Sequence, residues 1–267
     1  MKIPHRFSLL LLLTISLISE GQSQNRDFNL YEQQLFIQGT DTLPCRILSP
    51  INFSINTKYP LVVFLHGSGE RGIDNEAQLT WGGSLFLDSA NRVNYPAIIV
   101  FPQCHTDSSW SVVSRKPVAD SLGNFFFPMD KPATKPLQMV MDFIDTLVTS
   151  GRVDPKRIYI GGLSMGGFGT YEILWRRPKL FAAAIAICGG GNPESVKIYG
   201  KKFPIWVFHG TLDPSVPVAN SRLMVNALQG EGAMVKYTEY PDVYHNSWTN
   251  AFAEPELLKW LFSQKKK

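Results

Sequence analysis

Gly162-Leu163-Ser164-Met165-Gly166 follows the apolar run Arg157 to Gly161 and precedes a stretch of helical periodicity. A serine held on a sharp turn between strand and helix has a strained backbone, and small residues on both sides let the strand and helix approach closely. Gly162 and Gly166 supply that room. The competing account is a glycine-rich turn whose serine only caps the next helix. As a nucleophile, a serine hydroxyl is weak at its own pKa and needs a base, with an acid to orient that base. Downstream, His209-Gly210-Thr211-Leu212-Asp213-Pro214 places Asp213 just after an apolar strand, and Pro241-Asp242-Val243-Tyr244-His245 places His245 after the last one. Serine, then acid, then histidine is one of the chain orders that nucleophilic serine sites use. His245 would take the proton from Ser164, and Asp213 would hold the imidazole in the working tautomer.

Rivals for these roles are few among the five histidines. His66 and His209 end strands in His-Gly turns and read as structural groups, His105 sits in a long loop, and His5 lies near the amino terminus. Asp242 competes with Asp213, but three residues from His245 it would have to fold back within one loop. Charge developing on a substrate oxygen needs preorganised donors. The backbone amide of Met165 is one candidate. The other comes from His66-Gly67-Ser68-Gly69-Glu70-Arg71-Gly72, with Ser68 preferred and Gly69 the alternative. This loop lacks the lysine and spacing of a phosphate-binding loop. Glu70 and Arg71 read as a structural ion pair beside it, with substrate contact the other reading. Trp248, Trp110, Trp81 and Phe125 to Phe127 are candidates for an aromatic cleft, with Trp248 and Trp110 the expected substrate-binding pair; packing is the competing role.

Such groups must be delivered by a scaffold, and the hydrophobic pattern describes one. Tyr59 to Leu65, Ala97 to Phe101, Arg157 to Gly161, Ala182 to Cys188 and Phe203 to Phe208 are continuous apolar runs, as in strands covered on both faces. Leu30 to Ile37 and Leu43 to Leu48 alternate and read as antiparallel edge strands; Val235 to Tyr240 reads as a last strand. Helical segments lie between them at Leu137 to Thr149, Met165 to Trp175, Ala219 to Leu228 and Pro255 to Phe262. The alternation is that of an α/β protein with a mostly parallel sheet. Residues 106 to 135 are rich in Ser, Pro, Phe and Lys and form a long loop on the active face, not a linker.

The chain has 267 residues, 44% hydrophobic and 18% charged, which excludes disordered, collagenous and multi-span membrane classes. Its formal charge of +4 is concentrated in Lys265, Lys266 and Lys267, a run read as a solvated, frayed end. The nearly neutral body carries no basic stripe for nucleic acid. Lys2, His5 and Arg6 precede the apolar run Phe7 to Ile18 and the small polar residues Ser19, Gly21 and Ser23. This is the layout of a secretory signal over residues 1–23, with residues 24–267 left as one catalytic domain. The run is too short to span a bilayer, so no stable membrane anchor is expected after cleavage, and the destination is secreted or periplasmic. Cys45, Cys104 and Cys188 are an odd count, read as buried structural thiols, and their spacings do not suit a metal site.

With HGSGERG at 66–72, PQC at 102–104 and Trp110 beyond it, GGLSMGG at 161–167, HGTLDPSVPV at 209–218 and YHNSW at 244–248, the sequence resembles the α/β-hydrolase superfamily. More narrowly it resembles secreted feruloyl and acetylxylan esterases and the catalytic domains of prolyl-oligopeptidase-like, dienelactone-hydrolase-related proteins. The resemblance runs from about Tyr59 to Trp260. It implies an eight-stranded sheet, ester hydrolysis through an acyl-enzyme on Ser164, Asp213 and His245, and no cofactor. The chain has no room for a β-propeller, and the interval from Asp213 to His245 is too short for a large lid. The substrate class expected is a small-molecule or polysaccharide-linked ester, with a secreted peptidase acting on short peptides as the alternative. A noncatalytic carbohydrate-binding module is the rival from another class.

Overall fold

The computed structural model describes residues 28–115, 123 and 125–267. The expected leader, residues 1–23, lies outside the described residues. In chain order the strands are β1 (Glu32–Gln38), β2 (Asp41–Leu48), β3 (Tyr59–Leu65), β4 (Ile98–Pro102), β5 (Ser114–Arg115), β6 (Phe125–Phe126), β7 (Val153–Leu163), β8 (Ala183–Ile187), β9 (Pro204–Gly210) and β10 (Met234–Tyr240). The α-helices are α1 (Gly83–Leu87), α2 (Ser89–Asn94), α3 (Lys135–Thr149), α4 (Met165–Arg176), α5 (Val196–Tyr199), α6 (Ala219–Gly230), α7 (Trp248–Phe252) and α8 (Leu257–Ser263). Eight strands form one sheet in the order β1-β2-β4-β3-β7-β8-β9-β10, and β5 pairs with β6 apart from it. Only β1–β2 and β2–β4 pair antiparallel in the large sheet; every other neighbour is parallel.

Alternation along the central strands explains why their sequences read as unbroken apolar runs. Leu61, Val63 and Leu65 of β3 enter one core with Ile158 and Ile160 of β7 and Ile205 and Val207 of β9, while Val62, Phe64, Tyr159, Trp206 and Phe208 enter the other. Each strand thus buries both of its faces. The first core is closed by α3, α4 and α6, and the second by α1 and α8. Helix α3 shows the local logic. Thr134 caps it by accepting from the Leu137 amide, Pro136 occupies its first turn, and Leu137, Val140, Met141 and Ile144 make one buried stripe. It stops before Gly151, whose φ of +78° suits a residue without a side chain.

The structure departs from the sequence reading in four places. Residues 28–30 form a 3-10 turn before β1, and β1 is largely exposed on both faces. The strand expected from Arg157 begins earlier, at Val153, with a register shift against β3 between Tyr59 and Leu61. The carboxy-terminal lysines are not a frayed end: the Lys266 backbone amide donates to the Lys156 carbonyl, and its Nζ donates to the carbonyls of Lys179 and Leu180. The last helix starts at Leu257 and not at Pro255, and the separate short helix α7 carries Trp248. No helix among the described residues is long and apolar enough to cross a membrane.

Candidate active site

Ser164 sits between β7 and α4 with φ 53° and ψ −115°, a strained conformation for a residue with a side chain. Backbone packing demands the glycines around it. A Cβ on Gly162 would stand 2.3 Å from the Gly166 carbonyl oxygen, and one on Gly166 would stand 1.9 Å from that of Leu65. The turn is held from the neighbouring strand by the Ser164 amide donating to Ile187 O at 2.9 Å. Its side chain makes no cap to the helix, so the capping account of this serine fails.

Ser164 Oγ lies 2.9 Å from His245 Nε2, and His245 Nδ1 lies 2.6 Å from Asp213 Oδ2. Because Nδ1 faces a carboxylate it carries the ring proton, which leaves Nε2 bare to accept from the serine hydroxyl. The Asp213 side chain is fully buried. Burial by itself would raise its pKa, but hydrogen bonds from His209, His245 and the Val216 amide outweigh it and hold the carboxyl well below the usual carboxylate range. Oδ1 accepts from the amides of Ser215 and Val216, both at 2.9 Å. Asp242 takes no part: its own amide donates to Thr211 Oγ1, and its φ is 59°. Cys188 presents its sulfur near Asp213 and His245, but burial pushes its thiol pKa up, so it stands by as a protonated neighbour.

His209, read from sequence as structural, is buried against this acid. Its Nε2 faces the Val216 carbonyl at 2.8 Å and Asp213 Oδ2 at 3.2 Å, two acceptors, and so carries a proton; its Nδ1 meets Ser221 Oγ at 2.7 Å. The four-residue spacing from His209 to Asp213 around the end of a strand was the signal available for this contact. His66 is the satisfied group expected. Nδ1 donates to Gly67 O at 2.6 Å, Nε2 accepts from the Cys104 amide at 2.9 Å, and the His66 carbonyl accepts from Trp110 Nε1 at 3.1 Å. Burial lowers its pKa to about 4.

Ser164 and His245 open on a pocket of about 430 Å³ that is also lined by Ser68, Met165, Arg71, Arg115, Phe125 and Phe168. Met165 begins α4, so its amide is one of the helix's unpaired first donors, at the positive end of the helix dipole. Ser68 lines the pocket; Gly69 is not among the residues that do. The expected Glu70–Arg71 ion pair is absent among the described residues. Glu70 Oε1 instead accepts from Trp81 Nε1, while Arg71 donates to the carbonyls of Ser68 and Ser108.

The aromatic residues divide. Phe125 stacks with Phe127 and Phe168 on the pocket wall. Trp248 packs edge-on against His245 with centroids 5.5 Å apart and touches Trp81, on a neighbouring surface. Trp110 must be corrected: at 0% exposure it is a core residue wedged against His66, with no face for a substrate. Phe168 and Arg115 are pocket residues that sequence reasoning passed over; the first is one helical turn beyond Ser164, a spacing that could have revealed it. The wall formed by Ser109 to Val113 is tied to α4 by the buried Glu172, whose Oε2 accepts from Ser111 Oγ and the Val112 amide, both at 2.7 Å, and whose Oε1 accepts from Arg176 at 2.8 Å.

The sheet order and the turn that carries Ser164 are those of the α/β-hydrolase fold. Residues 127–256 match the family described as Phospholipase/Carboxylesterase. Several of the proteins it resembles are esterases. The chain is 26% identical over 194 residues to the bifunctional acetylxylan esterase/xylanase XynS20E of Neocallimastix patriciarum, an alignment covering 72% of this chain and 23% of that protein. It is 27% identical over 196 residues to the carboxylesterase SOBER1 of Arabidopsis thaliana, covering 69% and 82%. A crystal structure of a thermostable esterase superposes with a TM-score of 0.78 at 38% identity, over 90% of this chain and 64% of that one.

Proposed function

We propose that this protein is a serine hydrolase of carboxylic esters, acting through an acyl-enzyme on Ser164. The observation that carries this reading is the unbroken relay from Ser164 Oγ to His245 to Asp213, at 2.9 and 2.6 Å, at the base of an open pocket. His245 Nε2 removes the hydroxyl proton as Oγ attacks the ester carbonyl. The tetrahedral oxyanion is received by the amides of Met165 and Ser68, the first strengthened by the end of α4, an arrangement worth about 3 kcal/mol per donor in such sites. Collapse breaks the bond to the alcohol, which leaves with the proton from His245. Water, deprotonated by the same nitrogen, then attacks the acyl carbonyl and returns Ser164 to its starting state.

The esterase relatives support ester over amide substrates, and the acetylxylan esterase similarity supports acetyl groups carried on plant polysaccharides. The leader pattern over residues 1–23 supports action outside the cytoplasm, which sequencing the mature amino terminus of exported protein tests directly. For the chemistry, purified protein is assayed on p-nitrophenyl acetate, methyl ferulate, acetylated xylan and a peptidyl p-nitroanilide, before and after a serine-directed phosphonate. Ester turnover that the phosphonate abolishes, with the label on Ser164, is the expected result. Turnover confined to the anilide, or unaffected by the phosphonate, would overturn the proposal.

A further inference from the structure

Two guanidinium groups, Arg71 and Arg115, line the same pocket as Ser164 and His245, and among the described residues no carboxylate side chain lines it with them. Among the described residues neither arginine has an acidic partner within 4.0 Å, as is also so for Arg46, Arg92 and Arg152, none of which lines this pocket. Arg71 spends two of its donors on the carbonyls of Ser68 and Ser108, which fixes the side chain beside the oxyanion loop and leaves donors unspent. Arg115 lies over the Phe125 ring at 5.1 Å, held by the short β5–β6 pair. The rest of the wall is hydroxyl or apolar, from Ser68, Ser109, Ser215, Val113 and Phe168. Two cations with no ion-pair partner among the described residues, in a cleft with partly apolar walls, raise a positive potential in the space beside Ser164.

Resting on the ester-hydrolase reading, we propose that the substrate carries an anionic group, a carboxylate on its acyl or its alcohol part, which Arg71 and Arg115 receive while Ser164 attacks the ester. Guanidinium forks suit this task because they bind a carboxylate through parallel hydrogen bonds and cannot lose their charge. A neutral acetyl or alkyl ester would leave both cations facing water and gain nothing from them.

The test uses two matched pairs of substrates at low and high salt. On the acyl side, mono-p-nitrophenyl glutarate is compared with its methyl ester; on the alcohol side, para-acetoxybenzoate is compared with methyl para-acetoxybenzoate. In at least one pair kcat/KM should favour the anion by about tenfold, as expected for a hydrogen-bonded charge contact, and the preference should shrink in 0.5 M salt. In Arg71→Gln and Arg115→Gln, checked for intact fold by circular dichroism, the charged-to-neutral ratio should fall toward one. The pair that responds identifies which side of the ester bears the charge. Equal or poorer turnover of the anion in both pairs, or an unchanged ratio in both variants, overturns the inference and leaves the esterase reading standing. Failure to turn over any of the four esters, together with no phosphonate labelling, removes the esterase reading and this inference with it.

Discussion

His209 Nε2 and His245 Nδ1 converge on one oxygen, Asp213 Oδ2, at 3.2 and 2.6 Å. The acid that orients His245 is therefore itself oriented by a second, wholly buried histidine on the preceding strand. His209→Ala should lower kcat about tenfold with little change in KM, because Asp213 keeps its backbone donors but loses the one that fixes its plane. His209→Gln, which can return an N–H to the same place, should recover part of the rate. Equal losses in kcat for both variants, or a loss confined to KM, would mean that His209 only fills space.

In the mechanism proposed above, Ser164→Ala removes the atom that attacks. Turnover should fall by a factor of about 10⁴ or more, to the residual rate that an oxyanion site alone can give, while the urea unfolding midpoint stays close to that of the parent. Relief of the serine's side-chain demands costs the fold little, since the unusual φ is imposed by the backbone around it. Purified variant protein that still hydrolyses p-nitrophenyl acetate at the parent rate would exclude Ser164 as nucleophile.

Glu172→Ala should be among the most damaging changes outside the triad. It would strand Arg176, leave the Val112 amide unsatisfied, and detach the pocket wall from α4. Breaking a buried pair from one side costs about 3–5 kcal/mol, readable as a lower midpoint in urea. A change under about 1 kcal/mol, the range of exposed pairs, would show that the wall is held by packing.

Stability should fall as the solution is acidified from neutrality. His66 is buried neutral with its pKa lowered to about 4, so between roughly 6.5 and 4 the unfolded chain binds a proton that the folded one does not. Stability therefore rises with pH across that window, by about 3 kcal/mol in all. Asp213, whose carboxyl is held low, adds a separate loss only below about pH 4, where the unfolded chain takes up the proton first. Urea titrations at successive pH values on the parent and on His66→Gln measure this; an identical slope in both proteins from pH 6.5 to 4 would remove His66 as its cause.

The sheet was legible because strands covered on both sides have no polar face to interrupt the apolar run: β3, β4, β8 and β9 were read close to their true extent, and β7 through its buried half. The proposed catalytic residues could be named because each follows a strand of the large sheet, Ser164 after β7, Asp213 after β9 and His245 after β10. Legibility failed where position is set by tertiary contact. The helices α1 and α2, five and six residues long, carry too few turns for a period to emerge. Trp110 was read as a cleft residue, yet Gly169, which leaves space against its side chain, admits it to the interior. Arg115 reaches the pocket through a two-residue strand pairing that no local pattern announces.

Strand β7 also sets where the molecule can be handled. Its eleven residues separate the Gly151 turn, where an added side chain would meet nothing within 4 Å, from Ser164 at the opposite rim. Val153 to Gly162 lies alongside only Tyr59 to Leu65 of β3, six steps of about 3.3 Å, so the two ends of the strand stand roughly 20 Å apart. A cysteine placed at Ser150, exposed in the same turn and with ordinary helical backbone angles, for coupling to a bead or electrode would thus fasten the protein by its far end, with the mouth of the pocket turned outward.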